Sequence, residues 1–457
     1  MPTVISSDSE ESLYLNRFFT PLRSNQDDKQ TIQQFNNSTI QKKMAILKPF
    51  RGYRPPAKIV KELASRPYDV LNSKEAREEA GDNPYCFLRV VKPEIELPED
   101  VDLYSQQVYD KAKENLEKFI EKGYFVRDEK PNYYVYAQTW NNKTQYGIVG
   151  CAGVQDYLND IIKKHELTRP DKEEDRMKHV RITNANAEPV FFTYPQVDAI
   201  DAIVEEVIKA PAIYDFVADD GFGHHFWVIE NNELILKLEQ LFADVECFYV
   251  ADGHHRTAAA ALVGNEKKEQ NPSHTGEEAY NFFMAVLFPD DQLTIIDYNR
   301  VVKDLNGLDQ DAFIEKLGKD FEIEKKGTAE YKPDALHVMS MYLDGEWYAL
   351  KALPHTYDDN DPIGVLDVTI LSKSVLEPVL GIKNLRTDKR IDFVGGIRGL
   401  GELKRRVDSG EMLVAFALYP VNMKQLMDIA DTGNIMPPKT TWFEPKLRSG
   451  LVVNKLD

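Results

Sequence analysis

Short apolar runs alternate with stretches of helical periodicity along most of the chain, a pattern that predicts strands and helices together. Apolar runs at 133–140 and 145–151 flank Asn141-Asn142-Lys143 and predict a β-hairpin. Periodic apolar positions predict helices at 101–122, 234–242 and 366–380. The order of these elements predicts an α/β fold of the α+β kind with a mixed sheet.

Turn signals and polar stretches separate these elements. The turn Asn83-Pro84-Tyr85 precedes an apolar run at 86–91, which predicts a strand, and the polar stretch 264–278 predicts a loop. Residues 391–394 predict another strand. The glycine-rich Gly395-Gly396-Ile397-Arg398-Gly399 that follows could approach a phosphate, but a structural turn fits it better.

Residues 1–43 differ in composition from the rest of the chain. They are polar, rich in Ser, Asn, Gln and Asp, and lack a sustained apolar period, so we expect a disordered leader or an upstream extension of the true start. Met44 is a credible start for the folded part. We expect a core of residues 44–302 and a C-terminal α/β domain of residues 303–457. Because its tail from Met436 carries Trp, Phe and two Lys, we expect the tail to dock back on the core.

The composition is that of a globular protein and narrows the function classes. Of 457 residues, 42% are hydrophobic and 29% charged, and the net charge of −19 disfavours a general nucleic-acid binder. Cys86, Cys151 and Cys247 are far apart in sequence, so neither a disulfide framework nor a cysteine-based zinc site is indicated. No apolar run approaches the length of a membrane helix, and no signal peptide is recognisable. We therefore expect a cytoplasmic protein without a membrane partner.

One stretch, residues 248–260, combines a strand, a tight turn and a helix start with candidate chemistry. Residues 247–251 are apolar and β-prone, Asp252-Gly253 is a turn dipeptide, and the alanine-rich 257–262 favours a helix. Free N–H groups at a helix start favour an anion, and Arg256 adds a planar fork suited to phosphate. The stretch therefore predicts a phosphate site.

Other kinds of site are weaker candidates. A zinc site would use His254, His255 and the second pair His224-His225, but adjacent histidine side chains diverge and no cysteine has ligand spacing. His224 and His225 fit better as strand residues on opposite faces. The chain contains no Gly-x-Ser-x-Gly elbow, Walker pattern or dinucleotide glycine fingerprint.

Two loop carboxylates are the best candidates for a general base or a Mg²⁺ ligand. Asp69 lies in Pro67-Tyr68-Asp69-Val70, and Glu166 lies in the charged stretch 165–176. That stretch fits a solvated loop and helix start as well as it fits a lid or catalytic loop. Each carboxylate also fits an ordinary surface acid, so both interpretations stay open.

Several short motifs follow one another along the chain. They are Lys48-Pro49-Phe50-Arg51-Gly52, Pro67-Tyr68-Asp69-Val70, Asn83-Pro84-Tyr85, Tyr133-Tyr134-Val135-Tyr136, His165-Glu166, Asp175-Arg176, Tyr249-Val250-Ala251-Asp252-Gly253-His254-His255-Arg256 and Met436-Pro437-Pro438-Lys439-Thr440-Thr441-Trp442-Phe443. In this order they resemble the family catalogued as domain of unknown function 1015, and the resemblance runs from Lys48 to the end of the chain. It departs from the family pattern at Asn299, where a histidine is expected before Arg300, and asparagine cannot serve as an acid or base.

The element Asp252-Gly253-His254-His255-Arg256 also resembles the phosphate-binding motif of the ParB and sulfiredoxin superfamily. That superfamily includes kinases of free serine and CTP-binding chromosome-partition proteins. The resemblance implies a ParB/sulfiredoxin-like nucleotide-binding core with insertions. It also implies ADP or ATP, with Mg²⁺, bound beside residues 252–257, including Gly253 and Thr257.

For a kinase, the resemblance implies a role for each candidate residue. His254, His255 and Arg256 would hold the nucleotide phosphates, with His254 also a catalytic candidate, and Arg176 could cover the transferred phosphoryl group. Asp252 would orient the turn or bind Mg²⁺. The proton of the substrate hydroxyl would pass to one of the two loop carboxylates, Asp69 or Glu166.

Three functions stay open after the resemblance. The first is a free L-serine kinase whose partners are a nucleotide and a small hydroxyl substrate. Such a kinase could form a homodimer. The second is a CTP- or ATP-binding regulatory or DNA-associated protein without kinase activity. It ranks lower because it needs a basic helix-turn-helix after the motif, and residues 264–278 contain no basic helix. The third is a nucleotide sensor that turns over nothing.

Overall fold

The computed structural model describes residues 44–457, and its larger sheet is mixed and nine-stranded. The predicted leader, residues 1–43, lies outside the described residues. The strands are β1 (Leu47–Lys48), β2 (Tyr133–Trp140), β3 (Lys143–Gly153), β4 (Ile162–Lys163), β5 (Val190–Tyr194), β6 (Tyr214–Val217), β7 (Gly223–Ile229), β8 (Phe248–Asp252) and β9 (Phe282–Pro289). Their order is β4-β8-β5-β9-β3-β2-β7-β6, and β1 pairs with β3. Because β8 is parallel to β4, and β9 to β5, among antiparallel neighbours, the predicted mixed sheet is confirmed.

A second sheet has six strands, all antiparallel to their neighbours. They are β10 (Tyr298–Val302), β11 (Phe321–Gly327), β12 (Val338–Leu343), β13 (Glu346–Ala352), β14 (Ile391–Gly395) and β15 (Val414–Ala417). Their order is β11-β13-β12-β15-β10-β14. Three short pairs join distant segments: Tyr53–Arg54 with Val126–Arg127, Ile295–Ile296 with Trp442–Phe443, and Ala185–Asn186 with Asn454–Lys455. The division into domains at residue 302 stays a prediction.

Thirteen α-helices occur in residues 44–457, and none of them combines the length and apolar character needed to cross a membrane. They are α1 (Val60–Leu63), α2 (Ser73–Ala80), α3 (Leu88–Val91), α4 (Gln106–Glu121), α5 (Val154–Leu158), α6 (Pro170–Thr183), α7 (Asp198–Val207), α8 (Asn232–Ala243), α9 (His254–Gln270), α10 (Gln310–Leu317), α11 (Asp367–Leu371), α12 (Gly399–Asp408) and α13 (Met423–Asp431). A π-helical turn, Ser372–Leu376, continues α11. Short 3₁₀ turns lie at Tyr68–Val70, Pro93–Glu96, Ala279–Asn281, Asp290–Gln292, Pro354–Thr356 and Gly396–Arg398.

The predicted hairpin is confirmed, and its turn explains its register. Asn141 and Asn142 have φ angles of 48° and 60°, the left-handed values that a two-residue turn between twisted strands requires. Asparagine tolerates this conformation better than most residues. Trp140 pairs directly with Lys143 as a result, and every later pair of β2 and β3 follows.

Two local predictions are wrong. The apolar run 86–91 contains helix α3 instead of a strand, because a short buried run has the same hydrophobic pattern in either state. The predicted loop 264–278 begins inside α9, which continues to Gln270. Gly264 lies inside this helix. Its glycine serves close packing, because a Cβ there would lie 2.4 Å from the carbonyl oxygen of Tyr280.

Alternate side chains of β8 belong to different buried clusters. Phe248 and Val250 are in a cluster with side chains of α7 and α8. Tyr249 and Ala251 are in a second cluster, which also contains buried side chains of the six-stranded sheet. The strand is therefore covered on both faces, and its carboxyl end delivers the chain to a junction between the first sheet and residues of the second.

Replacing Gly450 with alanine should lower the free energy of unfolding by about 2 kcal/mol. Gly450 has φ of +92°, and a Cβ there would lie 2.8 Å from Leu63 Cδ2 and 3.0 Å from Phe87 Cγ. Gly433→Ala is the matched control, because Gly433 has φ of +68° but no atom within 4 Å of an added Cβ. Its expected loss is about 1 kcal/mol, from backbone strain alone. Denaturant unfolding measures both variants, and equal losses would contradict the close packing at Gly450.

Candidate functional site

Strand β8, a left-handed glycine and helix α9 form the centre of the candidate site. Gly253 follows β8 with φ of +84°, a conformation that glycine reaches without a steric penalty. Helix α9 begins at His254, so both histidines lie in its first turn. The N–H and the hydroxyl of Thr257 both donate to the Gly253 carbonyl, at 2.9 and 3.0 Å, and close that turn.

Two cavities meet beside this helix start. The larger, of about 730 Å³, has Arg176 and His255 in its wall. The smaller, of about 480 Å³, has Asp252 and His254 in its wall. Three residues line both cavities, and we call them the seam: Asp69, Glu166 and Lys439. The structure thus brings together seven residues that the sequence singled out from four separate segments.

Glu166 has the seam carboxylate best suited to proton transfer. Burial raises its pKa, and the positive charge of Lys439 opposes that rise. Its Oε2 atom lies 3.9 Å from Nδ1 of His254. A carboxylate with a raised pKa is a stronger base than an ordinary one, which favours proton abstraction near neutral pH.

Asp252 is neutralised by two cations. Its Oδ2 atom lies 3.2 Å from Nζ of Lys446 and 3.9 Å from Nη2 of Arg256. Burial by itself would raise the pKa of Asp252, but these cations hold it at about 2. The carboxylate therefore connects the C-terminal segment to the turn before α9. Of its two predicted roles, orienting the turn is the one that this geometry favours over binding Mg²⁺.

Arg256 lies beneath the helix start and lines neither of the two cavities. Its Nη1 donates to the carbonyl of Pro189 at 2.7 Å, and its guanidinium packs so closely on Gly253 that a Cβ there would lie 3.1 Å from Nη2. The residue is only 7% exposed. The structure therefore shows Arg256 in contact with the main chain, because the side chain turns under α9. Its binding of a nucleotide phosphate stays a prediction.

Arg176 reaches the larger cavity from α6. Its Nε and Nη2 atoms donate to Oδ2 of Asp175 at 3.0 and 2.8 Å, and its guanidinium lies 4.0 Å from the ring centroid of Tyr68. Oδ1 of Asp175 accepts a hydrogen bond of 2.8 Å from the Tyr109 hydroxyl. The buried Nη1 of Arg176 has no hydrogen-bond partner among the described residues. Arg176 is thus held firmly with part of its donor set unused.

His165 and His254 form a buried pair of imidazoles beside the seam. Their ring centroids are 4.5 Å apart, in an edge-to-face arrangement. Burial lowers the pKa of both rings, to about 4 for His165. The pair is therefore neutral at pH 7 and adds no positive charge to the site.

Stability should fall as the pH is lowered from 7 to 5, and it should fall less in His165→Phe. Unfolded histidine titrates near 6.5 and folded His165 near 4, so the unfolded state binds the proton first in this window. The parent should lose about 2 kcal/mol more than the variant, which has a ring but no titrating group. Denaturant unfolding at pH 7, 6 and 5 measures the difference. Equal pH slopes in the two proteins would contradict the depressed pKa.

The segment after α13 forms much of the wall of the smaller cavity. The N–H of Met436 donates to the His165 carbonyl at 2.8 Å, and Trp442–Phe443 pairs with Ile295–Ile296. The ring of Phe443 lies 5.6 Å from that of Phe191. The aromatic and cationic residues that the sequence singled out in this segment therefore lie at the site. The wall residues that this segment contributes to the smaller cavity are Lys439, Thr441, Trp442, Glu444, Lys446 and Arg448.

Arg448 and Asp220 are wall residues that the sequence did not single out. Nη2 of Arg448 contacts Oδ2 of Asp220, and its Nε lies 3.3 Å from Nε2 of His224. Burial lowers the pKa of His224 to about 3, so its ring is neutral and can accept this hydrogen bond. Arg448 and Asp220 are 228 positions apart, and no local motif connects them. Only the fold brings them together.

The glycine-rich stretch after β14 is a tight structural turn. A Cβ at Gly395 would lie 2.9 Å from the Trp442 ring, and one at Gly396 would lie 2.4 Å from Oδ1 of Asp297. The glycines are needed for these close approaches, as the structural interpretation predicts. The turn nevertheless places Arg398 in the wall of the smaller cavity.

The geometry favours neither a metal site formed by protein side chains alone nor a DNA-binding motif in the described residues. Within residues 44–457, no three His, Cys, Asp or Glu side chains are grouped closely enough to hold a metal ion. Mg²⁺ is commonly held by one or two carboxylates together with substrate phosphates, so Asp69 and Glu166 fit such an ion only when a nucleotide accompanies it. The end of α9 carries Glu266, Lys267, Lys268 and Glu269. Residues 271–289 contain a 3₁₀ turn but no second α-helix that would make a basic helix-turn-helix.

The core of the site lies in a range that a known family covers. The family model described as "Protein of unknown function (DUF1015)" matches residues 47–369. The chain belongs to this family. The match includes Asp69, Glu166 and α9, whereas the segment from Met436 lies beyond it. No curated protein matches the sequence of this DUF1015 protein.

Solved structures are similar to this DUF1015 protein only at low identity. A free serine kinase in complex with AMP is 14% identical, with 62% of this chain and 84% of that chain covered and a TM-score of 0.32. A conserved hypothetical protein from Pyrococcus furiosus is 15% identical, with coverages of 62% and 87% and a TM-score of 0.31. SbnI with C-terminal truncation, from Staphylococcus aureus, is 12% identical, with coverages of 66% and 85% and a TM-score of 0.35.

Proposed function

We propose that this DUF1015 protein is a nucleotide-dependent phosphotransferase that acts on a small hydroxyl compound. ADP or ATP is the proposed donor, and free L-serine is the first acceptor to test because the motif at residues 252–256 resembles that of free serine kinases. One observation carries the proposal: Asp69, Glu166 and Lys439 line two cavities at once, beside the start of α9. A donor in one cavity and an acceptor in the other would meet at this seam.

The larger cavity has the wall expected for a nucleotide. At about 730 Å³ it is the roomier of the two, and it combines aromatic side chains that can stack on a base with cations that can face phosphates. Because the cavity lies beside His255, a nucleotide bound there would present its phosphates to the N–H groups of the first turn of α9. The aromatic and cationic wall residues are Tyr68, Tyr104, Tyr109, Phe393, Arg169, Lys172, Arg176 and Arg386.

The smaller cavity suits a compact acceptor with charges of both signs. An amino acid such as serine carries a carboxylate and an ammonium group, so it needs cations and carboxylates within a short distance of each other. The wall offers both, in a volume of about 480 Å³. The cations are Arg398, Lys446 and Arg448, and the carboxylates are Asp220 and Glu444.

The proposed reaction is a single phosphoryl transfer at the seam. Glu166 accepts the proton of the acceptor hydroxyl, whose oxygen forms a bond to the terminal phosphorus as the bond from that phosphorus to its bridging oxygen breaks. ATP leaves as ADP, or ADP as AMP, and the product is a phosphate monoester. Lys439 and the N–H groups at the start of α9 offset charge on the phosphoryl oxygens. Mg²⁺ bound with the nucleotide would neutralise phosphate charge, and Asp69 is the seam carboxylate suited to hold it.

The direct test is to incubate the purified protein with Mg²⁺, L-serine and either ADP or ATP. Phosphoserine should form in amounts equal to the AMP or ADP released, as ³¹P NMR and mass spectrometry can measure. Calorimetry separates the two parts of the proposal. Nucleotide binding without phosphoserine would remove serine as the acceptor, and no binding of ADP or ATP would overturn the proposed function altogether.

A further inference from the structure

Arg300, on β10, is a buried cation that the proposed reaction does not use. It is 1% exposed, and no carboxylate among residues 44–457 forms an ion pair with it. Burial lowers its pKa to about 9. A buried charge without a countercharge is costly and has to be offset by well-placed hydrogen bonds.

The guanidinium of Arg300 contacts three residues of the cavity walls. Its Nη2 donates to the carbonyl of Lys439 at 2.9 Å, and its Nη1 donates to the carbonyl of Tyr298. Its carbon lies 5.5 Å from the ring centroid of Phe393. Tyr298 lines the smaller cavity, Phe393 lines the larger, and Lys439 lines both. Arg300 thus supports the walls from behind without lining either cavity.

Lys439 is the wall residue that most needs such support. Its φ is +61°, a left-handed value that costs a residue with a side chain about 1–3 kcal/mol. Its Nζ lies 5.5 Å from the centroid of the Tyr298 ring. Burial acts to lower the pKa of Lys439, but Tyr298, Glu166 and Asp252 together raise it. The ammonium therefore depends on a strained backbone for its position beside the acidic groups.

We infer that Arg300 is a positioning residue: by donating to the main chain of Lys439 and Tyr298 it holds the left-handed turn that directs the Lys439 ammonium into the seam. The planar guanidinium suits this role, because it can donate to two carbonyl groups at once from a fixed geometry. Without it, the backbone of Lys439 relaxes to an ordinary conformation and the ammonium leaves the seam. The effect on ligand binding rests on the proposed function, whereas the effect on the turn does not.

A double-mutant cycle tests the link between the two residues. Calorimetry with ADP and Mg²⁺ is carried out on the parent, Arg300→Met, Lys439→Met and the double variant. Each single variant should weaken ADP binding about tenfold, and the double variant should be no weaker than the Lys439→Met protein. Losses that multiply in the double variant would overturn the inference. Arg54→Met is the structural control, because Arg54 is paired with Asp128 away from both cavities and its loss should affect stability but not ADP binding.

A second measurement needs no ligand and separates this inference from the proposed function. Acetylation of Lys439 by a lysine-directed reagent, followed by peptide mass spectrometry, should be severalfold faster in Arg300→Met, since the released amine loses the acidic neighbours that keep it protonated. Lys424, which is exposed on α13, is the internal reference. If the parent binds no ADP but acetylation of Lys439 is still faster in Arg300→Met, the proposed function is wrong and the inference stands. An unchanged rate at Lys439 in a folded variant overturns the inference.

Discussion

Replacing Glu166 with glutamine should slow phosphoryl transfer about 10²–10⁴-fold and leave the affinity for ADP within about twofold. The glutamine side chain has the same shape but cannot accept the hydroxyl proton. Burial raises the pKa of Glu166, so the parent rate should also rise with pH as this carboxylate loses its proton. Steady-state rates across a pH series, together with calorimetry, measure both parts.

Asp69→Asn is the matched comparison for this prediction. Asp69 lines the same two cavities but is assigned to hold Mg²⁺, so its loss should raise the Mg²⁺ concentration needed for half-maximal rate. Glu166→Gln should leave that concentration unchanged. If the two variants exchange these behaviours, the base and the metal ligand have been assigned the wrong way round.

Replacing Lys446 with methionine should lower the free energy of unfolding by about 2–3 kcal/mol at pH 7. The variant leaves Asp252 without its nearest cation, whose Nζ lies 3.2 Å from Oδ2 in the parent. Solvent reaches both side chains, which are 19% and 31% exposed, so the loss is smaller than for a fully buried pair. Denaturant unfolding gives the value.

The pH dependence identifies the source of that loss. Burial opposes ionisation of Asp252, but Lys446 and Arg256 hold its pKa at about 2, below the ordinary 3.8. The ionised carboxylate therefore stabilises the fold above pH 3.8, and this contribution disappears as the pH falls toward 2. The deficit of Lys446→Met should shrink over that range, and the double variant with Asp252→Asn should recover much of it at pH 7. A deficit that is independent of pH and of Asp252 would point instead to the lost contact with the Trp442 ring, whose centroid lies 4.9 Å from Nζ of Lys446 in the parent.

Local chemistry decided which elements the sequence could predict. The hairpin at Asn141-Asn142 and the strand before Gly253 carry their own turn residues, and both are confirmed. The run 86–91 contains no turn residues, so its hydrophobic pattern fitted a strand as well as a helix. Helix α9 extends past Gly264 because Tyr280, from a later segment, packs against it. That contact is invisible in the local pattern.

The candidate site shows the same division between local and distant information. The helix start, with Gly253, His254 and His255, could be found from residue types alone. The sequence could not show that Arg256 turns toward Pro189, since that depends on where a neighbouring strand begins. Nor could the sequence show that Asp252 pairs with Lys446, which lies 194 positions later, or that Arg300 donates to the carbonyl of Lys439. These contacts belong to the tertiary fold, and no single stretch contains them.

The position of the seam limits what can be learned from fragments of this protein. A fragment ending before Met436 would contain α9, Asp69 and Glu166 but neither Lys439 nor Lys446. Such a fragment would lack a wall of both cavities, so its inactivity would say nothing about the whole chain. Because Trp442–Phe443 is held by pairing with Ile295–Ile296, a synthetic peptide of residues 436–457 added in trans is a natural complement to it. Recovery of nucleotide binding on mixing the two pieces would give a direct assay for assembly of the site from separate fragments.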